Sequence, residues 1–560
     1  MMMETIGEWL APYVNLPKEE VARRLETPPD AALGDAALPC FELARTRREA
    51  PQAIAAELSA AVDHPMLACR AVGAYLNVSL RRDAIASEWL RELEKPAFRA
   101  ARASRGQRVV VDMSSPNIAK PFGIGHLRST VIGNAIRNLL VADGYEVVRV
   151  NHLGDWGTQF GKMIAAFRAW GDPEQLQERP LEASLELYVR FHEEAERDPA
   201  LVDEARAWFA RLEQGDETAL ELWRFFVETS KREFRRIYDR LGVDFEYELG
   251  ESFYNDKMPA AVERLRTAGL LEESDGALVV RLDDAALPPC IVVKSDGSSI
   301  YATRDVATAS YRRETLGGDR LLYVVGAEQG VHFRQVFGVL EKLDASWSGR
   351  CEHVPFGLMR VEGKKMSTRK GRVVLLEDVL NEAVERARAI IAEKNPGLAD
   401  RDAVAEAVGI GAIVFGDLKH DREGAIDFRL EDAVRFEGET GPYVQYTHAR
   451  IRTLLSKAAP QHRGEAPLAA ALAGDDAWAL LKLLLGYPEA VRLAAERLAP
   501  SIVARYALEA AKAVNRFYHA ERVLVDDPAE AAAKLRLCAA AADTLRDALT
   551  LLGVAAPERM

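Results

Sequence analysis

The chain has 560 residues, too many for a single hydrophobic core, and its 48% hydrophobic and 28% charged residues are the proportions of a globular protein, not of a disordered or fibrous one. A net charge of −13 disfavours indiscriminate attraction to nucleic acid or anionic membrane, yet admits a structured RNA partner if the basic groups are segregated onto one face. The five cysteines are widely spaced and contain no C-x-x-C pair, which suits neither a disulfide framework nor a thiolate zinc site and points to a reducing compartment.

The opening residues carry Glu4 and Glu8 and no basic-then-apolar leader pattern. No apolar run approaches the roughly 18–20 residues that span a bilayer, so a cytoplasmic protein without membrane attachment is expected. Residues 1–100 read as a small α+β domain, with a turn at Leu33-Gly34-Asp35, helix formers from Phe41 to Val62 and an alternating strand from Ala74 to Leu80. A linker follows with Arg99, Arg102, Arg105 and Arg108 and no acid between Glu94 and Asp112. It reads equally as a solvated connector or as a phosphate-facing patch.

Val109-Val110-Val111 begins a different pattern, a buried strand. A helical stripe comes next (Leu127, Val131, Ile132, Ala135, Ile136, Leu139, Leu140), stopped at Gly144, and then a second strand, Tyr145 to Val150. Strand, helix and strand in this order make a βαβ unit and predict a Rossmann-like parallel sheet over a central domain at 101–430. The stretch from Lys162 to Leu241 predicts a helical decoration. Further strands are expected at Leu278 to Leu282, Ile291 to Lys294 and Leu321 to Val325. From about Leu375 the chain is expected to be helical to its end, with a C-terminal α-helical bundle at 431–560. The fold class is therefore α/β, with a small α+β domain before the sheet and a bundle after it.

The loop after the first buried strand runs Ser114-Ser115-Pro116-Asn117-Ile118-Ala119-Lys120-Pro121-Phe122-Gly123-Ile124-Gly125-His126 straight into the helix. Ligands bind beyond the carboxyl ends of parallel strands, and free N–H groups at a helix start favour anions. Gly123 and Gly125 allow close backbone approach, and His126 can donate to a phosphate or ring oxygen. Alone, such a turn is weak support for a nucleotide site. Much later, Glu362-Gly363-Lys364-Lys365-Met366-Ser367-Thr368-Arg369-Lys370-Gly371 is either a solvated turn or a mobile lid laying lysines over a triphosphate.

Together, the glycine turn ending in His and the distant Lys-Met-Ser resemble the HIGH and KMSKS signatures of class I aminoacyl-tRNA synthetases. Five longer stretches resemble the arginyl-tRNA synthetase family: Ser114 to Thr130, Leu153 to Gly161, Tyr301 to Asp305, Phe436 to Tyr446, and Ala556 to Met560. They cover nearly the whole chain in order.

The resemblance implies activation of L-arginine with ATP to arginyl-adenylate, then transfer to tRNA(Arg), with Mg²⁺ accompanying the ATP and with tRNA needed for the activation step. It implies that Glu251, Asp305 and Tyr301 hold the guanidinium, whose planar fork of donors matches a carboxylate. Read alone, Asp305 would pair with Arg304 or another neighbour. Ser115, Asn117 and Gln329 match positions that bind the amino and carboxylate ends of the amino acid. Phe122, Gly123, Gly125, His126, Met366 and Ser367 fall at ATP-binding positions, and Lys120, His126 and Lys365 at catalytic ones.

Two departures stand out: Gly123 replaces the first His of HIGH, and Thr368 replaces the second Lys of KMSKS. Lys120 is the cation that would compensate for the second. For tRNA, the resemblance implies that Tyr75 and Asn77, two apart on a strand and so on one face, contact a D-loop base from the N-terminal domain. The aromatic and basic run of Tyr443, Tyr446, His448, Arg450 and Arg452, the segment Asn515 to Tyr518, and Met560 belong to an anticodon-binding bundle. No resident metal site and a monomer are expected. A relative that has lost catalysis, a nucleotidyltransferase, and a synthetase of other specificity remain as rivals.

Overall fold

The computed structural model describes residues 2–120, 122–296, 300–361, 375–458 and 470–560. Lys365, Met366 and Ser367 lie outside the described residues.

The N-terminal domain packs helices Met2–Val14, Lys18–Arg24, Phe41–Arg47 and Pro51–Ala61 on one face of an antiparallel sheet. The sheet is made of β1 (Ala36–Pro39), β2 (Leu67–Val72) and β3 (Tyr75–Leu80), in the order β1-β3-β2. Gly73, at φ 59°, lets β2 turn directly into β3, pairing Val72 with Tyr75. Ile6, Leu10, Ile54, Leu58, Leu76 and Val78 form the core beneath.

The linker arginines are all claimed by the protein. Arg99 pairs with Asp543 and Asp547, Arg102 and Arg105 with Asp143, and Arg108 with Glu146. The segment is a staple between domains, and the phosphate-facing reading is withdrawn.

The central domain is built on β4 (Arg108–Asp112), β5 (Glu146–Asn151) and β6 (Tyr247–Glu248). A separate antiparallel sheet of β7 (Glu272–Ser274), β8 (Ala277–Val280) and β9 (Cys290–Val293) follows. The chain then returns through β10 (Arg320–Gly326) and β11 (Cys351–Phe356). The main sheet is wholly parallel, in the order β11-β10-β4-β5-β6. Its direction of growth reverses between β4 and β10, which opens a crevice at their carboxyl ends. The helix Gly125–Ala142 connects β4 to β5 as expected, and five helices between Thr158 and Leu241 form the decoration.

Of two short paired strands, only the second falls within the stretch expected to be helical from about Leu375. β12 (Met359–Val361) pairs in parallel with β13 (Ile426–Phe428). Three residues carry too little periodicity to be seen in sequence. The remainder is helical, from Leu376–Lys394 to Pro528–Leu551.

The bundle is tied to both other domains. Asn138, on the helix after β4, donates to the carbonyl of Leu551, and Arg422 to that of Leu498. Trp89 of the N-terminal domain stacks on Trp478 of the bundle at 5.2 Å, with Lys482 on Asp35 and Arg82 on Asp475. No described helix is long and apolar enough to cross a membrane.

Candidate active site

The loop after β4 is strained. Ser114, Ser115 and Ala119 have φ values of 70°, 50° and 58°, a left-handed region that costs each non-glycine residue about 1–3 kcal/mol. Polar side chains from four directions hold it there. Ser114 N–H donates to Ser129 Oγ, Ser115 N–H to Asn151 Oδ1, and Ala119 N–H to Ser230 Oγ, while the Ser114 hydroxyl bonds Thr130 and Tyr238. Ser115 Oγ donates to Asp112 at 2.9 Å. Asn117 bridges to Gly154, where any Cβ would strike its Oδ1 at 2.4 Å.

The second wall follows β5 and β6. Asp155 accepts from both the backbone N–H and the hydroxyl of Ser252, fixing the short helical turn Glu251–Tyr254. Gly250 is required there, since a Cβ would lie 2.1 Å from Asp155. Burial pushes the Glu251 carboxyl up to about 7; Arg304 works against that rise, and the carboxylates of Asp155 and Asp305 add to it.

The third wall is the helix Tyr301–Glu314, anchored to β9 where Thr303 donates to the Val292 carbonyl. Tyr301, Arg304 and Asp305 share a face of its first turns. Tyr301 is 66% exposed. Arg304 donates to Glu251 at 3.2 Å, and Asp305 bonds His332 at 2.5 Å. The neighbour of Asp305 is thus His332, not Arg304. Gln329 is exposed directly after β10. Ser115, Asn117, Glu251, Tyr301, Asp305 and Gln329 therefore all sit on loops or helix starts at the carboxyl end of the sheet or its neighbour β9.

At the nucleotide loop, Gly125 faces open space, with nothing within 4 Å of a Cβ built there. The Nδ1 of His126 is buried and has no partner among the described residues, a polar atom that a bound ligand can satisfy. Burial, reinforced by nearby Lys120, holds this imidazole down at about 4, so it is neutral at pH 7. Lys120 Nζ lies 5.6 Å from the centre of the Tyr188 ring.

The Phe122 side chain is 1% exposed and packs on His126, Phe234 and Tyr238. The ring supports the His126 imidazole. Gly123 is likewise covered, its carbonyl accepting from His126 N–H.

The presumed RNA surfaces divide in the same way. Tyr75 is exposed, with the edge of exposed Phe41 at 5.6 Å. Asn77 is only 4% exposed, midway along the central strand β3, so Tyr75 alone of that pair is open to a base. In the helix Gly441–Ser456, Tyr446 is exposed, Tyr443 accepts from Asn515, and Arg450 lies 4.1 Å over the Tyr518 ring. A cavity of about 660 Å³ beside them is lined by Tyr443, Asp476, Lys512, Asn515, Arg516 and His519. His448 is buried and bonds the Pro557 carbonyl, and Arg452 pairs with Glu558. These two strap the C-terminal tail down, and Met560 is fixed by its carbonyl to Asn395 at 3.1 Å.

Asp155, Asn151, Arg304 and His332 join the site through contacts that the sequence does not announce. Asp155 lay within a recognised stretch, whereas His332 had no sequence signal.

Sequence comparison finds the family model for tRNA synthetases class I (R), catalytic domain, over residues 93–430. The arginyl tRNA synthetase N terminal domain matches over 2–80, and the DALR anticodon binding domain over 444–560. The chain is 47% identical over 561 residues to the arginine–tRNA ligase of Clostridium perfringens, covering 99% of each. It is 49% identical over 547 residues to that of Exiguobacterium sibiricum, covering 97% of each. The arginyl-tRNA synthetase structure of Thermus thermophilus matches with a TM-score of 0.84 at 29% identity, over 100% of both chains.

Proposed function

The chain belongs to the class I arginyl-tRNA synthetases, which join L-arginine to tRNA(Arg) using ATP, and we propose how its own residues carry that reaction. Glu251 and Asp305 take the guanidinium, with the Tyr301 ring beside it. Ser115, Asn117 and Gln329 hold the amino and carboxylate ends. In the first step the arginine carboxylate attacks the α-phosphorus of ATP; the bond to the bridging oxygen breaks and pyrophosphate leaves. In the second, a hydroxyl of the terminal tRNA ribose attacks the acyl carbon, and AMP leaves.

No protein nucleophile takes part, so the task of the side chains is placement and charge stabilisation. Neutral His126 offers its free ring nitrogen to the nucleotide, Gly125 gives it room, and Lys120 with Lys365 of the Lys-Met-Ser loop meets the charge growing on the pyrophosphate. Mg²⁺ enters as part of the nucleotide substrate. Among the described residues no group of three or more His, Cys, Asp or Glu side chains is arranged to hold an ion.

Residues 1–100 present Tyr75 to the tRNA D-loop, 101–430 form the catalytic domain, and 431–560 present Tyr443, Tyr446 and Arg450 to the anticodon. Arginine activation waits for tRNA. A single copy supplies every group named, which supports a monomer, and the five unpaired thiols fit the reducing cytoplasm.

The observation that carries this reading is the approach of Glu251 and Asp305, from separate elements, close enough for the Asp305 charge to help push the Glu251 carboxyl up. A pair of carboxylates of this kind leaves polar groups unpaired against any uncharged side chain, so discrimination needs no editing. Arginine charging of tRNA by Glu251→Gln tests it: a large rise in arginine KM is expected, and an unchanged KM overturns the assignment.

A further inference from the structure

Each of the two pocket carboxylates already has one protein donor. Arg304 holds Oε2 of Glu251 at 3.2 Å, and His332 Nε2 lies 2.5 Å from Oδ2 of Asp305. The donors come from different places, Arg304 from the helix that carries Asp305 and His332 from the first turn of the helix Gly330–Leu343, just beyond Gln329. Asp305 and His332 are both partly open to solvent, with side-chain exposures of 24% and 28%. A carboxylate so placed can turn about its side-chain torsions unless something fixes it. His332 is itself held by its neighbour: the adjacent Phe333 stacks on His353 at 4.9 Å, and His353 Nε2 bonds the Val325 carbonyl of β10.

We propose that His332 is a positioning and specificity-determining residue for arginine: by engaging one oxygen of Asp305 it presents the other to the guanidinium. The inference rests on Asp305 being a guanidinium ligand. With Arg304 doing the same for Glu251, the pocket offers one acceptor from each of two carboxylates. A planar guanidinium with two terminal amino groups can meet both acceptors at once, whereas an ammonium is a single point. Donation from imidazole to Asp305 needs only the ring N–H, present in the neutral tautomer as well as in the cation.

The test is steady-state charging by the full-length enzyme with His332→Ala, His332→Gln and Asp305→Asn, alongside thermal melting. A hydrogen bond to a charged group is worth enough that His332→Ala should raise arginine KM about tenfold, leaving kcat and ATP KM within about twofold. Glutamine keeps an N–H donor on a side chain of similar reach, so His332→Gln should return arginine KM to within about threefold of the wild type. The proposal fails if His332→Ala leaves arginine KM unchanged, if arginine KM, ATP KM and kcat all worsen together with the melting temperature, or if Gln does no better than Ala. Asp305→Asn separates the two layers. Should it leave arginine KM unaltered, the pocket assignment itself falls; should it raise KM while His332→Ala does not, only the positioning role is lost.

Discussion

Arg312 and Asp112 form an ion pair of 2.8 Å in which both side chains are buried. Arg312 belongs to the helix that carries Tyr301 and Asp305, and the other oxygen of Asp112 accepts from Ser115. The pair therefore joins the guanidinium wall of the pocket to the loop assigned to the amino and carboxylate ends. Removing Arg312 alone would strand a buried carboxylate, at a cost of roughly 3–5 kcal/mol. Arg312→Met should show that loss in urea unfolding, and the double variant with Asp112→Asn should recover much of it. An Arg312→Met protein as stable as the wild type would contradict the pairing.

Glu251 predicts how arginine binding responds to pH. Its carboxyl is pushed up to about 7, so in the free enzyme it is increasingly protonated as pH falls below that value. A cationic guanidinium favours the ionised form, and binding must release a proton. With one group titrating near 7, arginine KM at pH 6 should exceed that at pH 8 by about tenfold. Calorimetry in buffers of different ionisation enthalpy would measure the proton release. Glu251→Gln should bind weakly with no proton release from this site, and a flat wild-type profile would refute the linkage.

Lys120 sits close enough to His126 to help hold that imidazole neutral. As a stabiliser of leaving-group charge it acts on the transition state more than on bound arginine. Lys120→Ala should lower the single-turnover rate of adenylate formation by roughly 10²–10³ with little change in arginine affinity. Proportionate losses in rate and affinity would rule the role out.

Tyr446 is exposed on the bundle, and Arg450 rests on the Tyr518 ring. A base stacked on an aromatic side chain contributes about 1–3 kcal/mol, so Tyr446→Ala should raise the tRNA KM by roughly 5- to 150-fold. Arginine and ATP KM should stay near their wild-type values. Loss of Arg450 should in addition flatten the salt dependence of tRNA binding, measured by filter retention over a sodium chloride series. Unchanged tRNA KM in both variants would remove the bundle surface from the reading.

The parallel sheet and its nucleotide loop were legible because a buried strand, a glycine turn and a periodic helix leave local marks. Side-chain availability was not. Phe122 and Asn77 fall at positions where the resemblance implies ligand contact, yet each is covered by neighbours distant in sequence. His448 and Arg452 sit in an aromatic and basic run, and only the C-terminal tail folding back reveals their partners. Arg99 to Arg108 look like a free cationic stretch because their acids lie at Asp143, Glu146, Asp543 and Asp547. His332 has no local signature, since its significance comes entirely from meeting Asp305 on the neighbouring helix.

The stacking of Trp89 on Trp478, reinforced by the contacts of Asp35 and Arg82, closes the polypeptide into a ring whose first and last thirds meet. Tyr75 and Tyr446 are thereby mounted on one frame, like the jaws of a caliper set to a single span. An RNA that carries suitable bases at the wrong separation can engage one jaw or the other but not both. Rejection of such an RNA would then come from length, before any base is read.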